Sequence, residues 1–240
     1  MQVKTIGIVL YSTKYNDSST IINVYTRHFG RAAYMIYGAH KKKSVVRSAF
    51  LQPLSIVEMD VTHIPGKNIH HIKDMRMKYP FTGIPFDPVK NSLALFLSEM
   101  LFRTLRQTEP DDIMYQFLEN SIQQLDCCEV GIANFHLVFL IKLTRYLGFE
   151  PNNEEVKIKY FDLMNGIFLS DKPQHPHFLS SEITEKFNGV LTADFSTMDQ
   201  IILSRNVRSN LLEGIIDYYR LHIPDFHGVH SLEILQSLFD

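Results

Sequence analysis

Apolar residues in the first eighty positions recur in short runs: "VKTIGIVLY" (3–11), "TIINVYT" (20–26), "GRAAYMIYG" (30–38), "LSIVEMDVTHI" (54–64) and "IHHIKDMRM" (69–77). Five such runs separated by turn signals predict five short strands and a small barrel. Period-two alternation is clearest in the fourth, where Val57, Met59 and Val61 face one way and Glu58, Asp60 and Thr62 the other. Gly30, Gly38 and "PGKN" (65–68) stand where a reversing chain needs a turn, so hairpins should join strands one to three and four to five.

The pattern changes after "YPFTGIPFDPVKN" (79–91), whose prolines and Gly83 mark a linker. Leu93, Phe96, Leu97, Met100, Leu101 and Leu105 then recur at three- and four-residue intervals, one stripe of a helix. Similar spacing predicts helices at 111–125, 130–147, 195–204, 207–222 and 230–239, with a small hairpin inserted around "MNG" between 152 and 180. The expected fold class is α+β: a small five-stranded barrel over 1–80, then a mainly α-helical domain over 81–240.

Charge sharpens this division. The formal net charge is −2, yet residues 1–80 hold 12 Lys/Arg against 4 Asp/Glu and residues 81–240 hold 12 against 22. A basic front and an acidic rear point to nucleic-acid or membrane contact by one of the two. No apolar run approaches the twenty residues of a membrane span, and "IGIVL" is too short for a secretory signal, so the expectation is a cytoplasmic protein without membrane contact. Cys127 and Cys128 are adjacent and offer no disulfide framework.

The basic front concentrates in "HKKKSVVR" (40–47). Lys41, Lys42, Lys43 and Arg47, joined by Arg27 and Arg31 on the preceding strands, could neutralise phosphates, while Tyr34 and Tyr37 between them could stack bases. The same residues also read as a solvated loop with both tyrosines filling the barrel. Elsewhere "HPH" (175–177), His70–His71 and His227/His230 are possible metal ligands, but no CxxC accompanies them. Glu109, Asp111 and Asp112 suit a helix start, with metal-dependent nucleic-acid hydrolysis as the rival reading. No nucleophile elbow, P-loop, H-E-x-x-H or G-x-G-x-x-G occurs, so neither an enzyme nor a cofactor is indicated.

Four stretches, "DSSTIINVYTRHFG" (17–30), "YGAHKKKSVVRSAFLQPL" (37–54), "YLGFEP" (146–151) and "YYRLHIPDFHGVHSLEILQSL" (218–238), follow in the order found in the RecO family of bacterial recombination mediators, which the chain resembles. The resemblance implies an oligonucleotide/oligosaccharide-binding (OB) barrel followed by a helical domain. It further implies binding of single- and double-stranded DNA, annealing of complementary strands, and work with RecR to load recombinase onto DNA coated by single-strand binding protein. It places Lys41, Lys42, Lys43 and Arg47, with Arg27 and Arg31, at the DNA, and the residue pattern adds Tyr37 as the ring expected to stack a base. Lys142 and Arg145 are the expected contacts for the acidic tail of single-strand binding protein. Many relatives carry a four-cysteine zinc ribbon where residues 152–180 have no cysteine, so no zinc is carried over. The competing expectation is an interaction adaptor that binds no DNA.

Overall fold

The computed structural model describes residues 2–37, 48–64, 66–106, 108–152, 159–232 and 235. The chain divides into two compact units, Met1–Cys127 and Cys128–Asp240.

The first unit contains β1 (Gln2–Asn16), β2 (Ser19–Thr26), β3 (Gly30–Tyr37), β4 (Ile56–Thr62) and β5 (Ile69–Met77). They close into a barrel in the order β1-β2-β3-β5-β4. Pairing is antiparallel except between β3 and β5, where Ala33, Tyr34 and Met35 lie parallel to Ile69, His70 and His71. Hairpins join β1 to β2 to β3 and β4 to β5 as expected; Gly30 stands at the β2–β3 turn and residues 66–68 lie between β4 and β5, while the β1–β2 turn at Asp17–Ser18 coincides with none of the turn signals. Val9, Ile22, Val24, Tyr34, Val57, Met59 and Val61 fill the interior, so Tyr34 is a core residue rather than a stacking platform.

Alternation is what sends β4 inward at Val57, Met59 and Val61 while Glu58, Asp60 and Thr62 stay partly wet. Beside them Gly7 leaves no room for a side chain, because a Cβ there would lie 2.4 Å from Val24 Cγ1. The first strand runs on to Asn16, well beyond the expected end at residue 11, because its continuation pairs with β2 down to Asn16↔Ser19. Residues 11–18 are all exposed, which is why hydrophobic patterning fails to show this extension.

Two helices belong to the same unit, α1 (Pro88–Thr104) and α2 (Asp112–Cys127). Asp87 caps α1 by accepting from Val89 N at 2.8 Å and Lys90 N at 3.2 Å, with Pro88 in the first turn where its missing N–H costs nothing. Ser98 of α1 donates to the Leu10 carbonyl, and Tyr25 of β2 stacks on Tyr115 of α2 at 6.4 Å. The compact unit therefore extends past residue 80, where composition changes, because the barrel shares its apolar wall with both helices.

The link between barrel and helices is pinned by Asp126. Its buried carboxylate accepts from Thr82 N (2.9 Å), Gly83 N (2.8 Å) and Ile84 N (2.8 Å), and Lys90 Nζ donates to its carbonyl at 2.6 Å. Gly83 is required there: a Cβ would stand 2.2 Å from the Asp126 carbonyl oxygen.

The second unit contains α3 (Phe135–Leu147), a small sheet of β6 (Tyr160–Asp162), β7 (Ile167–Leu169) and β8 (Phe178–Leu179), then α4 (Ser181–Thr192) and α5 (Arg205–His222). The inserted hairpin is present, with β8 added on the other side of β6. The helix expected at 195–204 is instead a single 3-10 turn, Met198–Gln200, and α4 is a helix that the apolar spacing does not predict. Ser204 explains the first difference: it caps the following helix by accepting from Val207 N at 3.4 Å, so residues 201–204 lead into α5 in extended form. The helix expected at 230–239 falls mostly outside the described residues.

Phe161 anchors the small sheet, with ring centroids 4.9 Å from Phe168, 4.5 Å from Phe187 and 5.6 Å from Tyr218. Asp162, also buried, accepts from Met164 N, Asn165 N and Asn165 Nδ2, and lies 3.2 Å from His175 Nε2. Burial acts to raise the Asp162 pKa, and these hydrogen bonds outweigh it, leaving the group below the usual carboxylate range. A zinc ribbon does not fit here: the segment lacks cysteine, Asp162 and His175 are engaged with each other, and no three His, Cys, Asp or Glu side chains converge among the described residues. Among the described residues no helix is long and apolar enough to cross a membrane.

Candidate nucleic-acid interface

The turn between β2 and β3 positions the first candidate cations. Gly30 adopts φ +58°, Thr26 Oγ1 donates to its carbonyl at 3.0 Å and accepts from Phe29 N at 3.0 Å, and Arg27 N donates to the Ile6 carbonyl. These bonds fix Arg27, Phe29 and Arg31 at one end of the barrel.

Arg27 turns its guanidinium onto Asp112 in a two-pronged ion pair, with Nε against Oδ1 and Nη2 at 3.0 Å from Oδ2. The hydrogen bond raises Arg27 and lowers Asp112 from their ordinary values. Arg31 donates through Nη1 to the carbonyls of Phe102 (2.9 Å) and Leu105 (3.0 Å), and its guanidinium lies 4.3 Å above the Phe102 ring. Burial lowers its pKa, aided by the charge of Arg106. Both arginines are thus oriented by the helices of their own unit.

Tyr37 sits at the end of β3, 57% exposed, with its ring nearly parallel to His71 at 6.0 Å. It borders a shallow cavity of about 130 Å³ shared with Ile36, Leu51, Ile72 and Met75. Lys41, Lys42, Lys43 and Arg47 lie outside the described residues. Of the other candidates, Lys142 and Arg145 both stand on α3; Arg145 is exposed, 4.0 Å from Glu150 Oε2, and Lys142 contributes to the lowered pKa of Asp194, whose main cause is its hydrogen bond from Ser196.

A wider cleft of about 640 Å³ opens beside Arg31, lined also by Asn23, Phe29, His63, Lys67, Asn68, His70 and Arg106. Of these the chain pattern marks Arg31 as a phosphate contact and His70 only as a possible metal ligand. Nothing marks His63, Lys67 or Arg106, because they lie apart in the chain and meet Arg31 only when β3 closes on β5 and the end of α1 packs against Arg31. The parallel pairing Ala33↔Ile69 and Tyr34↔His70 is the step that brings the His63–His70 segment beside Arg31.

Asp111 accepts from Met114 N at 2.9 Å and Asp112 pairs with Arg27, so two of the three clustered carboxylates cap and brace α2. Their structural employment accounts for them without metal-dependent hydrolysis.

Two family models match the chain: that of the recombination protein O N terminal over residues 1–81 and that of its C terminal over residues 85–231. Among curated relatives, the DNA repair protein RecO of Phocaeicola vulgatus is 40% identical over 240 residues, covering all of both chains. That of Bacteroides fragilis is 39% identical over 242 residues and that of Flavobacterium psychrophilum 32% over 241, again covering both chains in full. The closed five-stranded barrel, the helices after it and these matches from end to end agree, and the chain belongs to the RecO family of recombination proteins.

Proposed function

We propose that the protein is a DNA-binding recombination mediator that holds single and double strands on its barrel and anneals complementary strands. Membership of the family carries the broader role in DNA repair and recombination. The observation that supports direct DNA binding is the coincidence of charge and fold: the segment with 12 Lys/Arg against 4 Asp/Glu is the segment that closes into the barrel. Barrels of this kind bind oligonucleotides across the β2–β3 face and the loops beside it.

In this reading residues 1–80 act as the nucleic-acid module. Lys41, Lys42, Lys43 and Arg47 take phosphates, Arg27 and Arg31 set the edge of the site, and Tyr37 offers a ring to a base. One strand bound along a cationic face lowers the repulsion met by a second, so pairing is accelerated with no bond made or broken in the DNA. The helical domain, through Lys142 and Arg145, receives the acidic tail of single-strand binding protein, and RecR joins the assembly for recombinase loading.

An annealing assay tests this. Two complementary oligonucleotides, with and without bound single-strand binding protein, should pair faster when the protein is added, in the absence of nucleotide or metal. An unchanged rate in both conditions overturns the proposal.

A further inference from the structure

The cleft beside Arg31 lies within the size range of small-molecule sites, and its chemistry is one-sided. Its cations come from three separate stretches: Arg31 on β3, Lys67 in the turn after β4, and Arg106 just beyond α1. No carboxylate stands among the described residues that line it. Arg31 is held rigid by the Phe102 and Leu105 carbonyls through one nitrogen of a five-donor fork, and it feels the charge of Arg106. Like charges gathered around one cleft repel, and a bound anion relieves that repulsion.

The wall of the cleft is aromatic. Phe29 stacks on His63 at 4.2 Å with the rings 4° from parallel, and His63 lies over His70 at 3.8 Å. His70 Nδ1 accepts from Ile64 N at 3.2 Å, so the neutral ring carries its proton on Nε2 and presents a donor. Burial lowers the pKa of both imidazoles, so the aromatic wall is uncharged at neutral pH.

We propose that this cleft binds a single nucleotide unit, with its phosphate held by Arg31, Arg106 and Lys67 and its base laid against the Phe29–His63 stack. Its residues are separate in sequence from the lysine-rich segment at 41–43. The proposal rests on the DNA-binding reading only for the source of the nucleotide, since a strand and a free mononucleotide present the same group.

The test uses the full-length protein with labelled histidine rings, followed by nuclear magnetic resonance during titration with deoxyadenosine monophosphate, deoxyadenosine, or an oligo(dA) strand. Strand binding is measured in parallel by fluorescence anisotropy. The His63 and His70 signals should move with a phosphorylated ligand and stay still with deoxyadenosine. A response to the mononucleotide identifies the free nucleotide as sufficient, and a response to the strand alone identifies an internal phosphodiester; both support the cleft. The double variant Lys67→Ala/Arg106→Ala should weaken the response at least tenfold with unchanged circular dichroism, and if that variant unfolds, Lys67→Ala on its exposed turn is read instead.

Histidine signals that stay silent while the strand binds by anisotropy overturn the cleft alone. An equal response in the variant does the same. Absence of any strand binding by anisotropy at low salt overturns the DNA-binding reading, whatever the mononucleotide does.

Discussion

His136 is wholly buried in α3, and burial, helped by the positive charge of Arg208, pushes its pKa down to about 3. The unfolded chain takes up a proton near the ordinary histidine value of about 6.5, whereas the folded one does not until far lower. Stability contributed by the neutral ring is therefore present above that value and falls as the pH drops below it, by about 1.4 kcal/mol for each pH unit. Urea unfolding at pH 7 and pH 5 should show this loss, and His136→Gln should flatten it. Asp126 behaves differently at the same scale. Burial alone would raise its pKa, but the amides of Thr82, Ile84 and Gly83 outweigh burial and hold it below the usual carboxylate range. Its contribution persists at neutral pH and disappears only in acid. Replacing it with alanine strands three backbone donors, so Asp126→Ala should cost about 3 kcal/mol in urea unfolding at pH 7.

At the scale of elements, turns and caps decide where the regular pattern stops. Gly148 ends α3 at φ +84°, with its N–H donating to the Arg145 carbonyl and that of Phe149 to the Thr144 carbonyl. A side chain in that left-handed conformation is strained, so Gly148→Ala should lower the unfolding free energy by about 1 kcal/mol, measured by denaturant titration. Such punctuation is readable: Gly83, Asp87–Pro88 and Gly148 all stand where the chain pattern suggests a boundary. Less readable are the elements that lack an apolar signal. The end of β1 is exposed on both faces, and α4 follows a proline-rich stretch that reads as loop. The 3-10 turn at Met198–Gln200 has apolar residues at near-helical spacing, yet the Ser204 cap begins a new helix and forbids continuation.

For the molecule as a whole, net charge is a poor guide because −2 is the difference between two opposed segments. Affinity for DNA should fall with salt as a basic ligand's does, despite the acidic rear. Replacing Lys41, Lys42, Lys43 and Arg47 with alanine should flatten the log–log salt slope by about 0.7–0.9 for each phosphate left without its cation, measured by anisotropy on strands of unrelated sequence. The magnitude separates phosphate binding from a merely solvated loop, which would leave the slope unchanged.

The chain alone discloses the barrel, the helical rear and the basic front, because period-two runs, three-four spacing and local charge are properties of neighbouring residues. It also marks Arg27 and Arg31 as candidate phosphate contacts, but not the partners that orient them. Asp112 and the carbonyls of Phe102 and Leu105 lie more than seventy residues away. The cleft depends on the same kind of long-range meeting: His63, Lys67, His70 and Arg106 become one surface only through the parallel closure of β3 against β5 and the packing of α1 beside them. Local pattern encodes which elements form, while the convergence of side chains waits on how the barrel closes.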